Sequence, residues 1–192
     1  FAIMLENTSS IRTELSSLGE FGLIKHIRQH VLLNNESTLC GIGDDAAVVK
    51  YAENKHTLVS TDMLIEGVHF DLTYCPLKHL GYKAVSVNVS DIYAMNGNPK
   101  QILVSLAVSN RFSLEAIEEL YAGMLLACKR FDVDLIGGDT SSSRSGMVIN
   151  ITVLGESDKD DIVYRSGAKE SNLLCVSGDL GSAYLGLQLL ER

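Results

Sequence analysis

Residues 80–136, LGYKAVSVNVSDIYAMNGNPKQILVSLAVSNRFSLEAIEELYAGMLLACKRFDVDLI, decide the fold class. Leu80, Ala84, Val87 and Ala94 recur at three-to-four spacing and predict a helix over 80–95. The β-branched run at 102–108 predicts a strand. Leu114, Ile117, Tyr121, Met124, Leu125 and Cys128 then return to helical spacing, so a second helix is expected over 114–131. Ser113 stands where an N-cap belongs, Glu115, Glu118 and Glu119 sit early, and Lys129 and Arg130 sit late, as the helix dipole prefers. A strand at 133–136 closes the run. Helices and strands that alternate in this way give an α/β or α+β domain.

Outward from this centre, strand signals continue at 46–49, 57–60, 147–153 and 173–176. Towards the N-terminus, GEFGLIKHIRQH from Gly19 spaces Phe21, Ile24 and Ile27, or Leu23 and Ile27, as a short helix. Residues 1–18 are set apart as a tail. The chain has only two prolines and no low-complexity linker, so no boundary is expected before about Gly155. There ESDKDDIVYRSGAKE (156–170) turns polar, followed by a strand signal and an amphipathic stretch at 180–190. The expected organisation is a tail at 1–18, one domain at 19–156, and at 157–192 the start of a second α/β domain, incomplete as it stands.

The 192 residues carry 16 Lys+Arg against 24 Asp+Glu, a net charge of −8, and 46% are hydrophobic. This composition excludes disorder and a small disulfide scaffold. Cys40, Cys75, Cys128 and Cys175 are far apart with no CxxC, which disfavours a zinc ribbon and reads as core thiols in a reducing compartment. With no apolar run of membrane-spanning length and no leader pattern, the expected location is cytoplasmic, with no membrane partner. A net negative surface disfavours nucleic acid, and any anionic ligand needs local cations to be held.

Five acidic or glycine clusters border the predicted elements: GIGDDAA (41–47), STDMLIEGVHF (60–70), NVSD (88–91), GGDT (137–140) and SGDLGS (177–182). Each alone reads as a turn, Asp for its side-chain hydrogen bond and Gly for positive φ. Their recurrence says more. Bringing carboxylates such as Asp44, Asp45, Asp62, Asp91 and Asp139 together costs roughly 4 kcal/mol per pair at about 4 Å and an effective dielectric near 20. A fold that converges them needs cations. Carboxylates with the hydroxyls of Ser60, Thr61 and Thr140 are hard oxygen donors that suit Mg²⁺, which shares its shell with substrate phosphates.

GIGDDA also matches G-x-G-x-x-G/A, and Asp62 follows Gly43 by 19 residues, near the spacing of a dinucleotide fold. Against this, Asp44 and Asp45 would face a pyrophosphate, and AAVV reads as a strand where that motif needs a helix. No P-loop and no G-x-S-x-G occurs. His69, Tyr121 and Arg165 each have a bland alternative, as a packed or solvated imidazole, a core aromatic and an exposed cation respectively.

Taken in order, GEFGLIKHI (19–27), GIGDDAAVV (41–49), STDMLIEGVHF, KAVSVNVSDIYAM (83–95), LIGGDT (135–140) and RSGAK (165–169) resemble the thiamine-monophosphate kinase family. Its superfamily also holds aminoimidazole ribonucleotide synthetase and selenophosphate synthetase. The resemblance implies the N-terminal domain of the aminoimidazole ribonucleotide synthetase-like fold, a mixed sheet with helices on one face whose strands join a partner's in a homodimer. It implies ATP-dependent phosphorylation of thiamine monophosphate to thiamine diphosphate by in-line transfer assisted by several Mg²⁺ ions. On that resemblance Asp45, Ser60, Thr61, Asp62, Asp91 and Asp139 are the metal ligands. Tyr121, Gly138, Asp139 and Arg165 contact ATP, His69 contacts the substrate, and no catalytic base is named. Where the family commonly has Gly after the Met of SDxxAM, this chain has Asn96, which also tolerates positive φ. The family also carries an acidic cluster of the D-x-S-D-G type in its C-terminal domain, which these 192 residues do not contain. A sister ATP-dependent synthetase and a non-catalytic nucleotide-binding dimerisation fragment are the alternatives.

Overall fold

The computed structural model describes residues 19–29, 31 and 33–191. The chain divides into two compact units, one up to Glu36 and one from Ser37. In the first, α1 (Gly19–Arg28) is the short helix that its apolar spacing predicts, with Phe21 exposed. The tail at 1–18 and the side chains of Leu23 and Ile27 lie outside the described residues.

The second unit holds β1 (Thr38–Cys40), β2 (Ala47–Val49), β3 (Lys55–Ile65), α2 (Leu77–Ala94), β4 (Asn98–Val108), α3 (Leu114–Phe131), β5 (Asp134–Ser142), β6 (Val148–Asp158) and α4 (Ser182–Leu190). The strands form one mixed sheet in the order β1-β2-β3-β6-β4-β5. Only β4 and β5 pair in parallel, and α3 is the crossover that such a pair requires. Side chains alternate across each strand. Leu58 and Leu64 of β3, Ile102, Val104 and Leu106 of β4, and Ile149, Ile151 and Val153 of β6 are buried on the side where α2 crosses β3, β6 and β4. The α3 helix packs along α2 and adds Leu120, Met124 and Ala127 to the core. The sheet is therefore mixed with helices on one face, as expected. Its other face is open, with Met63 and Ile65 of β3 exposed.

Local chemistry accounts for the helix ends. Ser113 caps α3 by accepting from Ala116 N at 3.3 Å, and Asp132 closes that helix in the left-handed conformation. Asn96 takes φ +57 after α2 and its side chain donates to the Asp161 carbonyl at 3.0 Å, so the turn survives without glycine there.

The close contact of α2 and α3 was not legible in the sequence. A Cβ on Gly81 would lie 2.0 Å from the Leu120 carbonyl oxygen, and one on Gly123 would lie 1.9 Å from that of Lys78. Neither backbone can move without opening the core. Gly123→Ala is expected to cost about 3 kcal/mol and lower Tm by about 10 °C in a thermal melt.

Several expectations are corrected. Residues 173–176 are not a strand: they are irregular, with Leu173 and Leu174 90% and 96% exposed. An apolar run becomes a strand only beside a ladder partner, and this one has none among the described residues. The opposite error is β1, a three-residue edge strand too short to show a period. Strands β3, β4 and β6 outrun their apolar stretches because main-chain pairing carries polar residues along, as at Lys55 opposite Asp158. Of the cysteines Cys128 is buried, Cys40 and Cys75 half-buried, and Cys175 exposed, so the last is no core thiol; all four are free. Among the described residues no helix is long and apolar enough to cross a membrane.

Candidate functional site

Strand parity divides the STD cluster. Ser60 pairs with Val153 and Asp62 with Ile151, both buried under the helices, so Ser60 and Asp62 face the helix layer. Thr61 pairs with Thr152 and faces the open side, where its hydroxyl donates to the Ile151 carbonyl at 3.1 Å. Thr61 is thus the member whose side chain the fold does not bring to the cluster.

On α2, Asn88 and Asp91 are three residues apart and share the stripe facing β3. The Asp62 N–H donates to Asn88 Oδ1 at 2.9 Å, and Asn88 Nδ2 donates to the Ala84 carbonyl at 2.9 Å. Asn88 is 1% exposed and bonded through both its oxygen and its nitrogen, so it pins β3 to α2 at the level of the acids. It has no role in the sequence reading, although an amide inside an apolar helical stripe was the available signal. The acidic loop before β2 is pinned by Ala46 N, which donates to Met95 Sδ at 3.1 Å. That the AAVV segment runs into β2 and not a helix removes the dinucleotide reading.

Ser60 Oγ lies 2.7 Å from Asp91 Oδ2 and 2.9 Å from the Asp45 carbonyl oxygen. One hydroxyl proton cannot serve both acceptors; both are satisfied when Asp91 is protonated and donates to Ser60. Burial pushes the Asp91 carboxyl above its ordinary range, the Ser60 hydrogen bond pulls it down, and the nearby charges of Asp62 and Asp45 push it up again, with Arg165 opposing them. The folded chain therefore holds this proton more tightly than the unfolded chain. Its contribution to stability falls as pH rises from the ordinary carboxylate range through the raised value. Arg165 relieves part of the repulsion. It begins a 3₁₀ turn (Arg165–Gly167), pairs through its guanidinium with Asp45 Oδ1, and donates its N–H to Asp44 Oδ2 at 3.3 Å.

Among the described residues no three Asp, Glu, His or Cys side chains stand together so as to hold a metal ion by themselves. The donors are hard oxygens, Asp45, Asp62 and Asp91 with the Ser60 hydroxyl. That set fits an ion such as Mg²⁺ that keeps waters and takes the rest of its shell from phosphate, and it does not fit an all-protein site.

Asp139 lies elsewhere. It pairs with Ser105, Ser105 with Asn150 and Asn150 with Met63, which puts Asp139 three strands from β3, about 14 Å, and on the open face. Gly138, its neighbour, has a structural requirement of its own, since a Cβ there would sit 1.8 Å from the Val104 carbonyl oxygen. Tyr121 is half-buried against the core on α3, a helix that packs on α2 and β5. One chain therefore brings together Asp45, Ser60, Asp62, Asp91 and Arg165, and leaves Asp139, Thr61 and Tyr121 apart from them.

His69 follows β3 in a turn closed by Gly67 N–H to the Phe70 carbonyl at 2.8 Å and by His69 N–H to that of Ile65 at 2.9 Å. Glu66 anchors it, pairing with Arg111 and accepting from Met147 N at 2.8 Å. The Ile65 N–H donates to His69 Nδ1 at 3.0 Å, so the neutral imidazole carries its proton on Nε2. His69 lines a cavity of about 780 Å³ together with Phe70, Tyr74, His79, Lys83 and Tyr184.

Residues 43–157 match the AIR synthase related protein, N-terminal domain. The chain belongs to this family. Among related proteins, the thiamine-monophosphate kinase of Bacillus subtilis is 42% identical over 173 residues, 90% of this chain and 53% of that protein. The thiamine-monophosphate kinase of Aquifex aeolicus is 40% identical over 92% of this chain and 54% of its own length. The structure of AaThiL complexed with AMPPCP and TMP superposes with a TM-score of 0.81 at 39% identity, covering 95% of this chain and 56% of that one. The chain spans about half the length of the curated relatives it matches. Its mixed sheet with helices on one face is thus that of an AIR synthase N-terminal domain.

Proposed function

We propose that this protein transfers the γ-phosphoryl group of ATP to thiamine monophosphate, giving thiamine diphosphate and ADP in thiamine diphosphate biosynthesis. The observation that carries the reading is the convergence of Asp45, Ser60, Asp62 and Asp91 beside one guanidinium, on the same domain as the His69 cavity. The thiamine-monophosphate kinases of Bacillus subtilis and Aquifex aeolicus, 42% and 40% identical over about nine-tenths of the chain, support it. An oxygen of the acceptor's phosphate attacks the γ-phosphorus, the bond from that phosphorus to the β–γ bridging oxygen breaks, and ADP leaves. The attacking oxygen is already anionic, so positioning and charge neutralisation suffice without a general base. Mg²⁺ held by Asp45, Ser60, Asp62 and Asp91 would supply that neutralisation. Thr61 and Asp139, which face the open side, would contact further Mg²⁺ ions of the several in this reading, Asp139 together with ATP. Arg165, leaving Asp45 for the nucleotide, Gly138 and Tyr121 are the remaining ATP contacts of this reading, and His69 Nε2–H donates to the acceptor.

A homodimer follows from the same reading. The open face carries Met63 and Ile65 uncovered, apolar surface that a second copy would bury. The exposed Leu173, Leu174, Leu185 and Leu189 support reading the stretch after β6 as part of a second domain. The free cysteines and the use of ATP support a cytoplasmic enzyme in this reading.

The test uses the full-length chain. ADP is expected to form only when thiamine monophosphate is present, and ATP binding is expected to weaken by about 10-fold or more when EDTA removes Mg²⁺, because the acids then repel the triphosphate. Equal ATP affinity with and without EDTA overturns the metal-bridged account, and ADP formation indifferent to the acceptor overturns the assigned substrate.

A further inference from the structure

His79 and Lys83 are four residues apart on α2, so both side chains leave the same face of that helix, and both line the cavity that holds His69. Lys83 Nζ donates to the His69 carbonyl at 2.8 Å, and among the described residues no carboxylate is paired with it. The carboxylates of the cavity are Asp71 and Glu191. Asp71 Oδ1 accepts from Thr73 N at 2.8 Å, and Glu191 accepts from Tyr74 Oη at 3.4 Å and from Gln188 Nε2 at 3.3 Å, so both are occupied by neutral donors. His69 offers only the Nε2–H dipole in its neutral form, because Ile65 N–H holds Nδ1 as an acceptor. Among the described residues Lys83 is therefore the one permanent positive charge on the cavity wall, in a chain of net charge −8.

We infer that Lys83 is a specificity-determining residue, the cation that holds the phosphate monoester of the acceptor in the His69 cavity and lets the site prefer a phosphorylated substrate over its alcohol. This rests on the function proposed above and names the group that selects the acceptor. An ammonium and an imidazole N–H converging on one phosphate are charge-assisted donors, and Lys serves such sites as a mobile point charge. Its bond to the His69 carbonyl also holds the ammonium next to the turn that presents the imidazole. Phe70, Tyr74 and Tyr184 leave flat apolar walls for a heterocycle, and the cavity volume of about 780 Å³ is in the range of small-molecule sites.

The experiment compares Lys83→Met and Lys83→Arg with wild type in the full-length chain, reading thiamine monophosphate and thiamine binding by calorimetry, ATP binding with Mg²⁺, and Tm. Lys83→Met is expected to weaken thiamine monophosphate by about 10- to 100-fold, leave thiamine and ATP within about twofold, and keep Tm, since the side chain is exposed. Lys83→Arg is expected to restore part of the loss. If Lys83→Met weakens thiamine and thiamine monophosphate alike, the residue only supports the turn and the inference falls. Unchanged affinity for thiamine monophosphate overturns it as well. A wild-type chain that binds but does not phosphorylate thiamine monophosphate defeats the proposed function instead, so the two failures are told apart.

Discussion

Replacing Asp91 by Asn in the full-length chain is expected to slow thiamine diphosphate formation by about 10²- to 10³-fold, with the metal-free protein at least as heat-stable as wild type. The two effects have one cause. Asp91 is half-buried, shares Ser60 with the Asp45 carbonyl, and stands near the charges of Asp62 and Asp45, so its ionised form is disfavoured in the folded chain. An amide keeps the shape and can still accept from Ser60 while removing the charge that Mg²⁺ and phosphate require. Stability sacrificed to place like charges together is returned when one of them is neutralised. Single-turnover rates and Tm with and without Mg²⁺ make the comparison. A normal rate removes Asp91 from the site, and a Tm lower by about 10 °C assigns it a structural role only. Asp62→Asn is expected to slow the reaction to the same order.

Replacing Asp139 by Asn in the full-length chain is expected to weaken Mg²⁺–ATP binding by about 10- to 100-fold while leaving the single-turnover rate at saturating ATP within about threefold. Asp139 is three strands from β3 and on the face opposite Asp62, so within one chain it does not share an ion with the acids under the helices. Its charge therefore bears on holding the nucleotide and not on the cluster around Asp91. Calorimetry of ATP with Mg²⁺ beside single-turnover kinetics makes the comparison. A fall in the saturated rate as large as that of Asp91→Asn would mean that Asp139 works together with that cluster, and unchanged ATP affinity would remove it from the site.

The legible parts of the fold were those with a period. Helix α3 declared itself by apolar spacing, an N-cap serine and the order of its charges, and its observed bounds are the ones its pattern gives. Helix α2 starts three residues before its apolar pattern, because Pro76 and not a side-chain pattern begins it. The run at 173–176 has all the composition of a strand and is none, since a strand exists only through its neighbours. Glycines 81 and 123 read as propensity defects in two helices, and only the approach of those helices shows why each is needed.

The candidate site divides in the same way. The residue types alone determined the chemistry: five aspartates with hydroxyls and no thiolate or imidazole cluster call for a hard cation and a phosphate, whatever the fold. Asp45, Ser60, Asp62, Asp91 and Arg165 could be named from their motifs, because those motifs sit where the elements end. Which of them meet was a matter of tertiary structure. Consecutive residues of a strand face opposite sides of its sheet, so Ser60 and Asp62 join Asp91 while Thr61 cannot present its hydroxyl there, and the order of the strands carries Asp139 out of reach. Asn88 meets the Asp62 main chain only because α2 lies across β3, and Lys83 meets the His69 carbonyl only because the turn after β3 brings it there. The sequence alone determined what the groups are; their partners are set by strand register and helix packing, which act between residues far apart along the chain.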